Sequence, residues 1–291
     1  RKTKPQEKRL SQSLRKLFAA ALAPLILIST ANAASISYFP KRIISLSPSA
    51  TEDLFSIGAG KQVIAVDDNS NFPNSAPKSK LSSFNPSAEA IAKYRPDFVV
   101  IQASATKSAA VVKQLRDLKI KVFIENTPTD LTGLYGELNA LGVATGHTSN
   151  SAKLISEIKK ARSNAILKAA NKGATFYHEL DNTLYSATSS TFIGKLYADF
   201  GLKKIADGAA KADDGGYPQL QNEYIIASNP NYIFLADGDF GETPSKISSR
   251  IGWGQIDAVK NQKIYILPTD ISSRWGPRIA DFYKLVANAL S

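Results

Sequence analysis

One stretch, Asn150–Lys172 (NSAKLISEIKKARSNAILKAANK), most constrains how this chain can fold. Apolar residues recur at Leu154, Ile155, Ile158, Ala161, Ala165, Ile166 and Ala169, a three-and-four spacing that makes a single helical stripe. Thr148 or Ser149 offers an N-cap, and Gly173 stands where a helix favours a left-handed terminator. At 1.5 Å rise per residue such a helix spans about 35 Å, the width of a small domain. Strand and helix patterns alternate on both sides of it. The expectation is a rigid strut joining two lobes, with a cleft between them.

The charge needs dissecting before it is interpreted. The chain carries a formal +11, but residues 1–33 hold seven Lys/Arg against one acid. The remaining 29 basic and 24 acidic residues are only mildly unbalanced, so the charge gives no support to a nucleic-acid partner. The first 33 residues have three parts: a basic region closed by Arg9, Arg15 and Lys16, a short apolar core at Leu17–Ile28, and Ala31-Asn32-Ala33. That order predicts a signal peptide cleaved after Ala33, and hence an exported, periplasmic or cell-envelope protein. An uncleaved anchor is the rival reading, because residues 17–34 are uncharged and just long enough to span a bilayer. There is no cysteine, so neither a disulfide nor a lipid on a processed Cys is available.

In the first half, strands are expected at Arg42–Leu46, Val63–Val66, Phe98–Gln102 and Val122–Glu125, with helices at Ser108–Leu118 and Leu131–Leu141. Ser49 and Glu52 have the spacing of a capping box for a further helix ended by Gly58 or Gly60. After the strut the pattern restarts, with strands at Ala174–Leu180, Tyr232–Leu235 and Ile264–Leu267 and a helix at Phe192–Phe200. A last helix, with Pro277 in its first turn, runs to Leu290. Continuously apolar strands separated by helices predict parallel sheets covered on both faces. The division expected is 41–148 for one lobe, 149–173 for the linking helix and 174–291 for the other. The polar links Asp67–Ser83 and Gly208–Pro218 fall at equivalent places and are expected to line the cleft.

One internal correspondence supports two lobes of similar build. Glu89 is followed after six residues by Pro96 and the run Asp97-Phe98-Val99-Val100. Glu223 is followed after six residues by Pro230 and Asn231-Tyr232-Ile233-Phe234. Each half therefore presents a glutamate at the same distance from a Pro-introduced strand.

In order along the chain, RIISLSPSATEDLFSIGAG, PSAEAIAKYRPDFVVI, GKLYADFGLKKIAD, WGQIDAVKNQKIYILP and SSRWGPRIADFYKLVANAL resemble the cobalamin- and iron-chelate-binding proteins of bacterial ABC importers. The resemblance covers residues 41–290. It implies an α/β fold of two Rossmann-like lobes with mostly parallel sheets joined by one long helix, as in class III periplasmic binding proteins. It also implies capture of cobalamin or a ferric siderophore-type chelate between the lobes, with no covalent cofactor. Delivery would be to a dimeric permease and, through it, to an ATPase. The family's cleft aromatics fall on Phe84, Tyr185 and Tyr217, and its polar ligand contacts on Asp270 and Arg274. Its permease-docking glutamates fall on Glu89 and Glu223. Asn69 stands where an aromatic is common, and Phe84, Gln102 and Tyr217 stand where cobalamin binders often carry tryptophan.

Aromatic faces with a few polar groups suit a flat, partly apolar chelate, and Phe84, Tyr185, Tyr217 and Trp275 lie in or beside expected loops. Arg274 can clamp a carboxylate, phosphate or hydroxamate-type oxygen, or it can pair with Asp270. Trp253, between two glycines, reads as packing. His147 and His178 are far apart and no cysteine exists, so a dedicated transition-metal site is not expected. A haem receptor of the same fold, with His178 or a tyrosine as axial ligand, remains an alternative. Phosphate-loop, nucleophile-elbow, dinucleotide and zinc-protease motifs are missing. Asp67-Asp68 and Asp213-Asp214 are carboxylate pairs in expected loops and read by default as solvated acids; the rival from another class is an exported hydrolase with an atypical carboxylate site.

Overall fold

A computed structural model describes residues 38–105, 108–169 and 173–291. The chain divides into residues 1–38 and Phe39–Ser291, and the second unit is the one described below. The expected signal peptide and its A-x-A site lie outside the described residues.

Among the described residues, nine strands form two wholly parallel sheets. In the first, β1 (Ile43–Leu46), β2 (Val63–Asp67), β3 (Lys78–Leu81), β4 (Phe98–Gln102) and β5 (Lys121–Glu125) lie in the order β3-β2-β1-β4-β5. In the second, β6 (Thr175–Glu179), β7 (Lys203–Lys204), β8 (Tyr232–Leu235) and β9 (Ile264–Ile266) lie in the order β7-β6-β8-β9. The helices of the first lobe are α1 (Pro48–Ser56), α2 (Ala88–Ala92), α3 (Ser108–Asp117) and α4 (Leu131–Thr145). The strut is α5 (Thr148–Ala169). The second lobe carries α6 (Phe192–Ala198), α7 (Asn222–Ser228), α8 (Pro244–Ser248), α9 (Asp257–Lys260), α10 (Thr269–Ser273) and α11 (Ile279–Leu290).

Strand period two divides the core. Ile43, Phe98 and Val100 of the first sheet, with Phe176, Tyr232 and Phe234 of the second, belong to one apolar cluster. That cluster continues through Ile158, Ala165 and Ala169 of the strut and Phe282, Tyr283 and Val286 of α11. The alternate residues Ile44, Leu46, Val99 and Ile101 pack against α3 through Val111, Val112 and Leu115. Tyr177, Ile233 and Leu235 form the corresponding outer layer of the second lobe with Trp253. The strut thus shares one core with the inner faces of both sheets. It is pinned further by Arg162, whose guanidinium bridges both oxygens of Asp199 at 2.5 and 2.7 Å.

Four local expectations are corrected. The helix after β1 is capped by Ser47, whose hydroxyl accepts from Ala50 N at 3.2 Å, with Pro48 in the first turn. The Ser49–Glu52 capping box does not form, because Ser49 and Glu52 are both buried inside that helix. The strut begins at Thr148, so Thr148 and Ser149 lie in its first turn rather than at its cap. Its expected end at Lys172 falls outside the described residues, while Gly173 takes the left-handed conformation at φ +90°. Pro277 precedes α11 rather than opening it, since Arg278 is the N-cap. Finally, the supposed link 67–83 contains the edge strand β3, whose sequence KSKL carries no apolar run to announce it.

Candidate functional site

A cavity of about 310 Å³ opens between the lobes, at the carboxyl ends of the strands, where parallel α/β sheets bind ligands. The first lobe contributes Thr127, Pro128 and Thr129, directly after β5. The second contributes Ser190–Ile193 at the start of α6, then Tyr217, and Ser272–Trp275 at the end of α10. Its walls combine three aromatic rings, several hydroxyls and one guanidinium. Lys195 on α6 links the two lobes beside it by donating to the Thr129 carbonyl at 2.8 Å.

The start of α6 is held tightly. The Thr191 hydroxyl caps the helix by accepting from Gly194 N at 3.0 Å and donates to the Thr188 carbonyl at 2.8 Å. Gly194 packs against that same carbonyl, and a Cβ built there would collide with it. Tyr217 reaches the cavity from a short antiparallel ribbon, in which Tyr185 faces Gln219 and Ser186 N donates to the Pro218 carbonyl at 3.0 Å. Diagonal positions put Tyr185 and Tyr217 on one face of the ribbon. They share an adjoining groove of about 490 Å³ with Lys211, Asp214 and Gln221. The phenol of Tyr217 is pushed up by burial.

Arg274 forms the polar side of the cavity and ties the lobes together. From α10 it reaches Glu52 Oε1 at 3.1 Å, Asn71 Oδ1 at 2.6 Å and the Asn69 carbonyl at 3.4 Å, all in the first lobe. In its own lobe it pairs with Asp270 at 2.9 Å. Asn71 closes the ring by donating to Asp270 Oδ2 at 3.0 Å. Beside it, Arg278 donates from Nε to Glu52 Oε2 at 2.8 Å and from Nη2 to Oε1 at 2.5 Å, with its guanidinium 4.3 Å from the Phe72 ring centroid. The Glu52 side chain is only 1% exposed.

Behind Glu52 lies a set of buried acids in the first lobe. Asp53 has both carboxylate oxygens buried without a hydrogen-bond partner, as does Glu125 at the end of β5. Burial, with the nearby charges of Glu125, Glu137 and Glu52, drives the Asp53 carboxyl well above its ordinary range. Burial pushes Glu125 up to about 7, against the favourable influence of the Ser47 hydroxyl and the Trp275 indole. Burial also raises Glu137 to about 7, with Glu125 adding to the shift. The Trp275-Gly276 segment of the second lobe covers these groups, with a Cβ position on Gly276 lying 3.6 Å from Asp53 Oδ1.

The structure therefore brings Tyr217, Arg274 and Trp275 to one cavity and joins Asn69 and Asp270 to it through the Arg274 network. Tyr185 lies one groove away. Phe84 stands in the loop before α2, 69% exposed and outside the lining of that cavity. Trp253 is fully buried and donates to Asn222 Oδ1 at 2.5 Å, which makes it packing. His178 is also core: burial lowers it to about 4 and its Nδ1 meets the Tyr197 hydroxyl at 3.0 Å, away from the cavity lining. Reading the sequence missed Glu52, Asn71 and Arg278. The available signal was an acid pair inside an otherwise buried helix, since a buried carboxylate demands a cationic partner.

Glu89 and Glu223 are both exposed, each the second residue of a short helix. The left-handed residues Arg95 (φ +51°) and Asn229 (φ +44°) then stand immediately before Pro96 and Pro230. Asp97 accepts from Lys41 N and Arg42 N ahead of β1, and Asn231 accepts from Thr175 N at the start of β6. The correspondence seen in the sequence is thus repeated in backbone and capping.

Two lobes, each built on a parallel sheet, on either side of a long helix and with a cleft between them, have the fold of the class III periplasmic binding proteins. The chain belongs to the periplasmic binding protein family, whose sequence model matches residues 43–271. It is 29% identical over 259 residues to an uncharacterised ABC transporter substrate-binding lipoprotein of Bacillus subtilis, covering 86% of this chain and 80% of that one. A cobalamin-binding protein of Halobacterium salinarum is 28% identical over 203 residues, 67% of this chain and 53% of that relative. Among solved structures, a possible iron-binding periplasmic solute-binding protein of Staphylococcus epidermidis superposes with a TM-score of 0.73 at 27% identity. That match covers 87% of this chain and 99% of the other.

Proposed function

We propose that this protein is the extracytoplasmic receptor of an ABC importer, capturing cobalamin or a ferric siderophore-type chelate between its lobes and handing it to a dimeric permease driven by an ATPase. The observation that carries this reading is the interlobe cavity, with Tyr217, Phe192 and Trp275 as faces and Arg274 as its cation. Aromatic faces hold a flat chelate, and a guanidinium fork fixes a carboxylate, phosphate or hydroxamate-type oxygen. A chelate larger than the cavity of about 310 Å³ would be admitted by the lobes parting and re-closing. Lobes at 41–148 and 174–291 would move about the helix 149–173, with modest amplitude because a continuous helix bends less than a loop. Export would follow cleavage after Ala33.

The test is to purify the exported protein and record the visible spectrum and mass of whatever accompanies it. A corrinoid, a haem and a ferric siderophore have distinct spectra. A corrinoid or ferric chelate at one equivalent supports the reading. Haem would shift it to a haem receptor, and conversion of a bound compound to product would point to the hydrolase instead.

A further inference from the structure

Arg274 and Arg278 share one buried carboxylate, yet they hold it differently. Arg278 grips Glu52 through two parallel bonds, at 2.8 and 2.5 Å, and its flat face lies 4.3 Å from the Phe72 ring centroid. Both of those partners belong to the first lobe, whereas Arg278 caps α11 in the second. A bidentate fork fixes orientation as well as distance, and Phe72 restrains the guanidinium plane from a second direction. Arg274 makes one 3.1 Å contact to Glu52 and spreads its remaining donors over Asn71, Asn69 and Asp270. It lines the cavity and Arg278 does not.

Charge accounting separates the two roles. Removing Arg278 would leave Glu52, 1% exposed, with a single bond to a neighbour that Asp270 also claims. Removing or diverting Arg274 leaves Glu52 with both of its bonds to Arg278, whose Nη2 also lies 3.6 Å from Asp270. A buried carboxylate tolerates the second change far better than the first.

We propose that Glu52 and Arg278 are the positioning pair that sets the angle between the lobes, leaving Arg274 as the arm free to exchange Glu52 and Asn71 for an anionic group of the captured solute. The part assigned to Arg274 rests on the chelate-receptor reading. The part assigned to Glu52 and Arg278 does not.

The chain has no cysteine, so two introduced ones can be spin-labelled cleanly. Arg116→Cys on α3 and Lys260→Cys on α9 are exposed positions, one on each lobe. Electron–electron resonance distances are measured in the full chain without any chelate, in the parent and in Glu52→Gln, Arg278→Gln and Arg274→Gln backgrounds. The expected result is a single narrow distance in the parent and in Arg274→Gln. Glu52→Gln and Arg278→Gln should show a broadened distribution or a second, longer one. Arg278→Lys, which keeps the charge and loses the fork, serves if Arg278→Gln fails to fold, and should also broaden. Unchanged distances in folded Glu52→Gln and Arg278 variants would overturn the proposal, as would equal broadening by Arg274→Gln. No chelate enters the measurement, so failure of the chelate reading would leave the distances where they are.

Discussion

Glu89 and Glu223 occupy the same position in their lobes: each is the second residue of a short helix, six residues ahead of a left-handed residue and proline that lead into a parallel strand. Two similar lobes thus carry one exposed carboxylate each at this matched position, that of Glu89 paired with Lys93 at 2.9 Å. Such a pair suits two symmetry-related permease subunits, and exposed rim charges act on encounter more than on folding. Glu89→Ala with Glu223→Ala should leave solute affinity and melting temperature nearly unchanged while sharply reducing uptake into vesicles carrying the cognate transporter. Charge reversal to Arg at both positions should be worse. Full transport by the reversed double variant would remove the docking role.

In the cleft, Tyr217→Ala, Trp275→Ala and Arg274→Ala should each weaken solute binding by about 1–3 kcal/mol, as truncation of desolvated anchors commonly does. Phe84→Ala, at an exposed rim position, should cost less. Calorimetric titration of the four variants decides this, and equal affinity throughout would place the solute elsewhere.

The buried acids predict an unusual pH response. Glu125 has an ordinary value of 4.5 and is raised to about 7 in the fold, so the folded state binds more protons than the unfolded one between those values. Stability from this group is therefore largest below 4.5 and declines as pH rises towards about 7. Glu125→Gln, which cannot ionise, should stabilise the protein above pH 7 by about 1–3 kcal/mol and flatten the slope. His178, lowered to about 4, acts in the opposite sense in both proteins and cancels in the difference. Denaturant unfolding of the two proteins between pH 5 and about 8 measures that difference; parallel curves would contradict the assignment.

Gly194 offers a test of the cavity wall. A methyl group there meets the Thr188 carbonyl, part of the Thr191 capping arrangement that holds the start of α6. Gly194→Ala should destabilise by about 1–3 kcal/mol through forced backbone displacement. Thr127 and Thr129 across the cavity should feel the shift, so solute affinity should fall with stability.

Much of the fold is legible in the sequence because the relevant physics is local. The 154–169 stripe announces the strut, and runs such as Phe98–Gln102 announce strands buried on both faces. The Glu89 and Glu223 segments announce the repeat through the matched spacing of glutamate, proline and apolar run. β3 escapes because KSKL is an edge strand with alternate side chains in solvent, so neither an apolar run nor clean alternation marks it. The Glu52–Arg278 pairing escapes for a different reason. Its partners are 226 residues apart, and only the meeting of the lobes gives the buried acid its cation. Read locally, Glu52 fits a capping box; burial of the whole α1 face excludes it.

The most direct test of the account is equilibrium titration of the purified protein with cyanocobalamin, ferrichrome and haemin, followed by recovery and analysis of each compound. Saturable one-to-one binding of cyanocobalamin or ferrichrome, with the compound recovered unchanged and binding weakened by Arg274→Ala and Tyr217→Ala, is the predicted result. Chemical alteration of the bound compound, binding of haemin alone, or no binding of any of the three by the folded protein, would contradict it.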